Sequence, residues 1–271
     1  MVEIAVQPFP NIFPEGTYDM NPDIQKASML KRIIAWMFDS MLVVILAIMV
    51  ATWLSAVLSY DSHAAEMEAH YLQIEEAYGV DFDITQDDYN LLSAEEQAQF
   101  DKAYEALSTN EETMEVYNLL ISLTIVIISL STLAAVVLIE FVVPLLFGNG
   151  QTLGKKIFGL ALMRTDCVKI TPLMLFIRTI LGKFSVETMV PLLVGLMMLW
   201  GVIGIIAPIV ILGIIGLQVI LMIRSETNSA IHDRLAYTVV VDYNSQLIFN
   251  TPDEAIAYRD SINKTEAIFR D

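Results

Sequence analysis

The sequence predicts an all-α transmembrane helical bundle of about four spans, of which the last two form a short hairpin. Hydrophobic residues make up 55% of the 271 residues, the mean hydropathy is +0.58, and only 17% of the residues are charged. The chain also contains apolar blocks long enough to cross the hydrocarbon core of a bilayer, which takes roughly 20 residues. A small cytoplasmic β element and an extracellular acidic helical insert complete the predicted fold. The lipid bilayer is therefore an expected partner.

The first span is predicted at residues 33–59. Residues 1–25 are rich in proline and predict an extended cytoplasmic tail, and residues 26–59 hold a basic lead-in followed by the span. No apolar signal-peptide core precedes the span, so we expect it to act as an uncleaved insertion signal. Asp39 is the only formal charge in the span. A carboxylate there costs about 2.5–3.5 kcal/mol on insertion scales and marks a functional site or a buried pair.

Residues 60–115 form an acidic insert after the first span. They carry 16 acidic residues and one basic residue, and they account for almost all of the chain's net charge of −17. Segments 63–78 and 93–108 have helical propensity, with apolar residues three or four apart, and Ser93 with Glu96 predicts a capping box. We expect an extracellular helical hairpin. It is either a solvated, tolerant loop or a vestibule that gathers cations.

The second span, within residues 116–147, contains a second carboxylate, Glu140. Its length exceeds the roughly 20 residues that are needed, so we expect the helix to tilt or to project into the insert. Pro144 should kink its last turn.

Residues 148–187 are polar and basic and are predicted to be cytoplasmic. The stretch 158–165 alternates like a strand, and residues 169–171 are expected to pair back on it. Residues 172–186 resemble an interfacial helix. The natural partner of the first strand is the β-branched stretch 237–242 near the C-terminus, which together with it would form a small sheet.

The last apolar block, residues 188–223, is too long for one crossing and short for two. Basic residues concentrate on the cytoplasmic side of membrane proteins, and here they lie in the lead-in, in 148–187 and in the tail 224–271. If all three segments are cytoplasmic, the block crosses an even number of times. We predict a hairpin of two short spans, 188–204 and 207–223. One tilted span with an external tail is the alternative.

Three motifs flank the predicted spans. They are Arg32-x2-Ala35-x3-Asp39, GQTLGKKIFGL at 150–160, and IHDRLAYTVVV at 231–241. In this order and spacing they resemble the RDD family of bacterial membrane proteins, over about residues 22–59 and 116–242. The resemblance implies that Arg32, Asp39 and Asp233 are the arginine and the two aspartates that name the family.

The resemblance also implies a multi-pass protein of the bacterial cytoplasmic membrane, and the positions of the basic segments predict that both termini are in the cytoplasm. The sequence departs from the family pattern at two positions. Tyr237 stands where a glycine is expected, and Cys167 occupies a turn where Gly or Asp-Gly is common. Both positions fall in the predicted sheet, so they put its turn geometry in question rather than the membrane site.

Arg32 and Asp39 are seven residues apart and fall on one helix face, about 10 Å apart along the axis. A long guanidinium reach, a water molecule or a third group would link them. The alternative is that Arg32 is a positive-inside anchor and Asp39 a packing residue that is paired elsewhere. Asp39 and Glu140 are expected at similar depth, where two acids would share a proton or a cation. Otherwise Glu140 faces away and extends to the interface.

The His232-Asp233 pair follows the last span. A histidine beside an aspartate is typical of a group that titrates near neutral pH and relays protons. Alternatively, Asp233 caps a short helix and pairs with Lys155 or Lys156. In a third interpretation Asp233 neutralises Arg32 and closes the bundle.

Several function classes are not expected. A single cysteine excludes an internal disulfide framework and a cysteine-based metal site. No nucleophile–base pair is visible, so we expect no enzyme, no catalytic residues, no cofactor and no resident metal. The 150–155 stretch lacks the spacing of a phosphate loop, and we expect no nucleic-acid partner.

Two functions remain as predictions. The family resemblance suggests transport of a small ion or solute, with cation/proton antiport as the most concrete version. In it Asp39 binds the cation or proton, Glu140 assists, and Arg32 competes for Asp39. Glycines in the last block would permit a homo-oligomer. The rival is a non-transporting membrane scaffold or assembly factor that docks partners on its cytoplasmic and acidic outer segments.

Overall fold

The computed structural model describes the backbone of residues 24–225 and 227–270, and the side chains as far as residue 261. The predicted N-terminal tail, 1–25, lies almost wholly outside the described residues.

The described residues are mostly helical, with two short strands. The α-helices are α1 (Met29–Val57), α2 (Tyr60–Tyr78), α3 (Gln86–Leu91), α4 (Ala94–Thr109), α5 (Glu111–Val136), α6 (Val143–Phe147), α7 (Leu153–Ile157), α8 (Pro172–Phe176), α9 (Val190–Leu199), α10 (Ile206–Arg224), α11 (Ile231–Leu235) and α12 (Pro252–Arg270). Two π-helical segments, Val137–Val142 and Ile177–Met189, connect α5 to α6 and α8 to α9. The strands are β1 (Leu160–Arg164) and β2 (Thr238–Asp242).

Four helical stretches among the described residues are long and apolar enough to span a membrane, in agreement with the predicted number. They are Met29–Val57, Glu111–Phe147, Pro172–Leu199 and Ile206–Arg224. The third differs from its predicted bounds, because the expected interfacial helix 172–186 and the expected span 188–204 form one continuous helix. Its 28 residues reach about 42 Å, longer than the hydrocarbon core of about 30 Å. The basic first half of this helix can therefore extend beyond the hydrocarbon core.

Both π-helical segments end two residues before a proline, Pro144 and Pro191. Proline lacks the N–H that would bond the carbonyl four residues earlier, and its ring crowds that carbonyl. A widened π turn accommodates this loss. The carbonyls concerned belong to Glu140 and Glu187, so each of these carboxylates lies on an irregular turn. The kink predicted at Pro144 is thus a π-helical segment.

The two strands pair antiparallel, with Leu160 opposite Asp242 and Arg164 opposite Thr238. This confirms the predicted sheet. The predicted return of residues 169–171 is a single bridge between Met163 and Lys169.

Further chain segments extend both edges of the sheet. Lys26 bridges to Val241 on one side, and Phe249 bridges to Val168 on the other. The buried core of the sheet consists of five side chains, Ala161, Met163, Cys167, Val239 and Val241.

Left-handed backbone occurs at both positions where the sequence departs from the family pattern. Cys167 has φ 66° and Tyr237 has φ 51°. Glycine adopts this conformation without the Cβ penalty that other residues carry. The turns therefore keep the geometry that the glycine pattern implies, although the residues differ.

The acidic insert is folded. Helices α2 and α4 contain the two predicted helical segments, and Ser93 and Glu96 form the predicted capping box, with reciprocal bonds of 3.3 and 2.8 Å. An edge-to-face aromatic cluster joins its helices. The rings are those of Tyr71, Phe82, Tyr89 and Phe100.

The chain divides into two compact units. The insert unit, Met37–Val142, contains most of α1, the acidic insert, α5 and the first π-helical segment. The sheet unit comprises the chain up to Trp36 and from Val143 onward. Arg32, Asp233 and the sheet belong to the sheet unit, whereas Asp39 and Glu140 belong to the insert unit.

Candidate functional site: a buried arginine–aspartate cluster

Asp233 is the centre of a buried charge cluster in the sheet unit. Its side chain is 0% exposed. It lies on the short helix α11, where its Oδ2 accepts a hydrogen bond from the backbone N–H of Ala230 at 3.3 Å. A carboxylate at this third helical position satisfies a backbone donor at the helix start. Asp233 therefore caps its own helix, as one sequence-based interpretation proposed.

Arg178, on the second π-helical segment, is the most extensive partner of Asp233. Its Nε and Nη2 atoms donate to Oδ1 at 3.1 and 2.9 Å. Its side chain is only 4% exposed. A buried guanidinium needs such a partner, because an unpaired charge away from water is very costly.

Arg32, at the start of α1, approaches Asp233 from a different part of the chain. Its Nη2 donates to Asp233 Oδ2 at 3.0 Å, and its Nη1 donates to the carbonyl of Thr227 at 3.2 Å. Two family-motif residues, 201 positions apart in sequence, therefore form an ion pair. Arg32 and Arg178 together connect the first turn of α1 and the third candidate span to α11.

Asp233 is held in its ionised form. Burial alone would raise the pKa of this carboxyl group, but Arg178, His232 and Arg32 outweigh burial and place the pKa well below its ordinary value. A carboxylate that remains ionised at neutral pH does not take up a proton there, so it is a poor proton carrier. The geometry therefore suits a structural role, in which Asp233 holds Arg178 and Arg32 in place.

His232 adds a second carboxylate to the cluster. Glu187, on the same π-helical segment as Arg178, accepts a bond from the backbone N–H of His232 at 3.1 Å. The Nδ1 of His232 lies 2.8 and 2.7 Å from the two oxygens of Glu187. On the other side of the ring, Nε2 is 3.7 Å from Asp233 Oδ1. The imidazole is thus flanked by two carboxyl groups.

Gly182 permits this close approach. A Cβ built on it would lie 2.6 Å from His232 Cβ and 2.7 Å from His232 Cα. The second of these atoms is backbone and cannot rotate away. A residue without a side chain is therefore needed where the π-helical segment meets α11.

Asp39 and Glu140 lie in the insert unit and are both buried, at 2% and 1% exposed. Asp39 is on α1, inside the first candidate span, and Glu140 is in the first π-helical segment, inside the second. The hydrogen bonds of Arg32 lead to Thr227 and Asp233.

The lysines that were considered as partners of Asp233 have other surroundings. Lys156 places its Nζ 3.8 Å from the centre of the Phe147 ring. Lys155 is buried, on the helix that Thr152 caps. The described ion-pair partners of Asp233 are instead Arg32, Arg178 and His232.

Sequence reasoning missed Arg178 and Glu187. Arg178 lies in the stretch 172–186, which was interpreted as an interfacial helix, and Glu187 follows that stretch directly. Charges are expected there and carry little information. The available signal was a repeat that was overlooked. The sequence Glu-x2-Val-Pro-Leu-Leu occurs at 140–146 and again at 187–193, which marks Glu187 as the counterpart of Glu140.

The four apolar helices, the buried intrahelical carboxylates and the arginine–aspartate cluster define a multi-helix membrane protein. The family model described as "RDD family" matches residues 26–237. The chain therefore belongs to the RDD family. No match was found among curated proteins or among solved structures.

Proposed function

We propose that this RDD-family membrane protein exchanges a small cation for protons, with Asp39 and Glu140 as the carboxylates that bind the transported ions. The observation that carries the proposal is that both acids are buried inside helices apolar enough to span a membrane. Ionisable residues in such positions are expensive and usually functional. Carboxylate oxygens bind both protons and hard cations.

The π-helical turn at Glu140 supports the same assignment. Such turns are rare and occur frequently at functional sites. They also leave backbone carbonyls without their regular helical partner, and such carbonyls are additional ligands for a cation. Asp39 is the only formal charge of residues 33–59, and we assign the initial binding to it and the assisting role to Glu140.

Arg32 and Asp233 have a different role in this proposal. Since Arg32 is bonded to Asp233 and Thr227, we assign this pair to anchoring α1 rather than to competition for Asp39. The charge pattern supports cytoplasmic termini and an external acidic insert in a bacterial cell membrane. The insert would then raise the local concentration of cations at the outer mouth.

A flux assay tests the proposal. Purified protein in liposomes, loaded with a pH-sensitive dye, is exposed to jumps of pH and of Na⁺ or K⁺. We expect cation-dependent proton movement in the wild type, its abolition in Asp39→Asn, and a strong reduction in Glu140→Gln. Glu112→Gln, an exposed acid at the start of α5, is the matched control and should retain the wild-type rate. Unchanged flux in Asp39→Asn would remove Asp39 from the mechanism.

The folded insert favours a second candidate, a membrane scaffold. Its aromatic cluster and capped helices give it a defined surface, on which Leu91 is 84% exposed. A scaffold would show no flux with any cation. Crosslinking from the insert would then capture one defined partner, and Leu91→Asp would prevent that capture.

A further inference from the structure

The Glu-x2-Val-Pro-Leu-Leu repeat places two glutamates in equivalent local structures. Glu140 and Glu187 each precede a proline by four residues, and each lies in a π-helical segment that ends before that proline. Around Glu187 the widened turns are reinforced by side chains. Ser185 and Thr188 donate to the carbonyls of Ile180 and Lys183, each five residues earlier, at 2.8 and 2.9 Å. The repeat therefore has a structural basis.

Glu187 differs from Glu140 in having a histidine as its described partner. Both carboxylate oxygens of Glu187 lie within 2.8 Å of His232 Nδ1. The side chains of Glu187 and His232 are 11% and 13% exposed, so the protein does not enclose the pair completely. Histidine is the side chain whose charge ordinarily changes between pH 5 and 8. A carboxylate and an imidazole in this arrangement form a proton-binding pair.

We propose that Glu187 and His232 form a regulatory proton-binding site that fastens α11 to the third candidate span. When His232 carries two protons, Nδ1 bonds Glu187 and the positive Nε2–H faces Asp233. When it carries one proton, on Nδ1, a lone pair on Nε2 faces the negative Asp233 and weakens the attachment. The attachment of α11 is therefore tighter with the doubly protonated ring than with the singly protonated ring. This inference does not rest on the proposed transport.

Charged groups from several elements surround the imidazole of His232. They determine how strongly the attachment of α11 changes when the ring gains or loses a proton. Glu187 and Asp233 favour the doubly protonated ring, whereas nearby cations oppose it. The groups on the π-helical segment, α11 and α1 are Arg178, Lys183, Glu187, Asp233, Arg234 and Arg32. The two carboxylates are nearest to the ring nitrogens, at 2.7 and 3.7 Å. These two carboxylates are therefore the charges whose interaction with the ring changes most when it gains or loses a proton.

A weaker attachment of α11 would also affect the sheet. Helix α11 is followed within three residues by β2, which contributes Val239 and Val241, two of the five side chains of the sheet core. Thr238 at the start of β2 is within 3.4 Å of Asp233. The protonation of one histidine therefore controls how firmly the C-terminal strand is held to the membrane helices.

Hydrogen–deuterium exchange of the full-length protein in micelles tests the site. Protection of peptides that cover residues 227–242 is measured from pH 6 to pH 8 and corrected for the intrinsic pH dependence of exchange. We expect protection to fall by about tenfold across this range in the wild type, because the ring loses the positive charge that Glu187 and Asp233 attract, while the hydrogen bond from Nδ1 to Glu187 remains. In His232→Gln the corrected protection should be independent of pH.

Two further variants keep the test decisive. Glu187→Gln retains the acceptor for the His232 N–H but removes the charge, so the pH dependence should shrink even if His232→Gln fails to fold. His70→Gln, in the acidic insert, is the matched histidine control and should behave like the wild type. Corrected protection that does not vary with pH in the wild type would overturn the proposal. So would a pH dependence in Glu187→Gln equal to that of the wild type.

Discussion

Arg178 donates two hydrogen bonds to one oxygen of Asp233, whereas Arg32 donates one hydrogen bond to the other oxygen. The two arginines are thus unequal partners of the same carboxylate. Arg178 is the more buried of the two, at 4% against 10% side-chain exposure. We expect the stability of the sheet unit to depend more on Arg178 than on the family-motif residue Arg32.

The first prediction concerns conservative replacement of these arginines. Lysine keeps the charge but loses the two-donor edge of the guanidinium, so Arg178→Lys should lower the free energy of unfolding by about 1.5–3 kcal/mol. Arg32→Lys should cost less, because a single donor to Asp233 is easier to replace. Chemical denaturation in micelles measures both variants. Equal losses would show that the two-donor geometry contributes nothing beyond charge.

The second prediction is the pH dependence that Asp233 imposes. Its pKa is lowered on folding, chiefly by Arg178, His232 and Arg32 against the opposing effect of burial. A carboxylate with a lowered folded pKa stabilises the fold fully above its ordinary value of 3.8. That stability is lost progressively as the pH falls below this value toward the folded pKa.

Thermal unfolding of the sheet unit at several pH values between 3 and 7 measures this effect. The wild type should lose stability below about pH 4. Asp233→Asn should be less stable at pH 7 by about 3–5 kcal/mol, because two arginines lose their counter-charge. Its remaining pH dependence below pH 4 should be shallower than that of the wild type. If the stability of the wild type and that of Asp233→Asn fall in parallel below pH 4, the acid sensitivity belongs to other carboxylates.

Much of the fold follows from local sequence pattern. The apolar blocks predict the four candidate spans, the alternation at 158–165 predicts β1, and Ser93 with Glu96 predicts the cap of α4. These features depend on neighbours within a few residues, where periodicity and capping chemistry are decisive. The pairing of β1 with β2 was also predictable, since few β-branched stretches were available as partners.

The cluster around Asp233 was only half predictable. The family motif indicated Arg32 and Asp233, and their ion pair was among the interpretations of the sequence. No local pattern indicates which of several basic residues in 148–187 faces Asp233, because that choice depends on contacts across 55 residues of sequence. The continuity of the third helix was missed for a related reason. The basic residues of 172–186, Arg178 among them, suggested an interfacial helix, whereas Arg178 bonds to Asp233 within the protein.

The third prediction tests the backbone at Tyr237. Its φ of 51° is left-handed, and any residue with a Cβ carries a penalty there of about 1–2 kcal/mol. Tyr237→Gly should therefore be more stable than Tyr237→Ala by about 1 kcal/mol, since both variants lack the ring and differ only in Cβ. Denaturation of the two variants side by side isolates the backbone effect. An alanine variant as stable as the glycine variant would argue against strain at this turn.

The fourth prediction concerns the contact of Gly182 with α11. An added methyl group would lie 2.7 Å from the backbone of His232, so α11 must move and weaken the bonds of Glu187 and Arg178. Gly182→Ala should cost about 1–3 kcal/mol, the range for overpacking a close contact. Gly213→Ala on α10 is the matched control, because a Cβ there meets nothing within 4 Å. Helix propensity should make that control neutral or slightly stabilising.

The two glycine variants also separate steric from electrostatic effects at the cluster. In Gly182→Ala, amides of α11 should exchange faster at every pH, since the displacement weakens the contact whatever the charge of His232. If Gly182→Ala is as stable as Gly213→Ala, the π-helical segment can yield without moving α11. The close approach of Gly182 to His232 would then be incidental to the stability of the cluster.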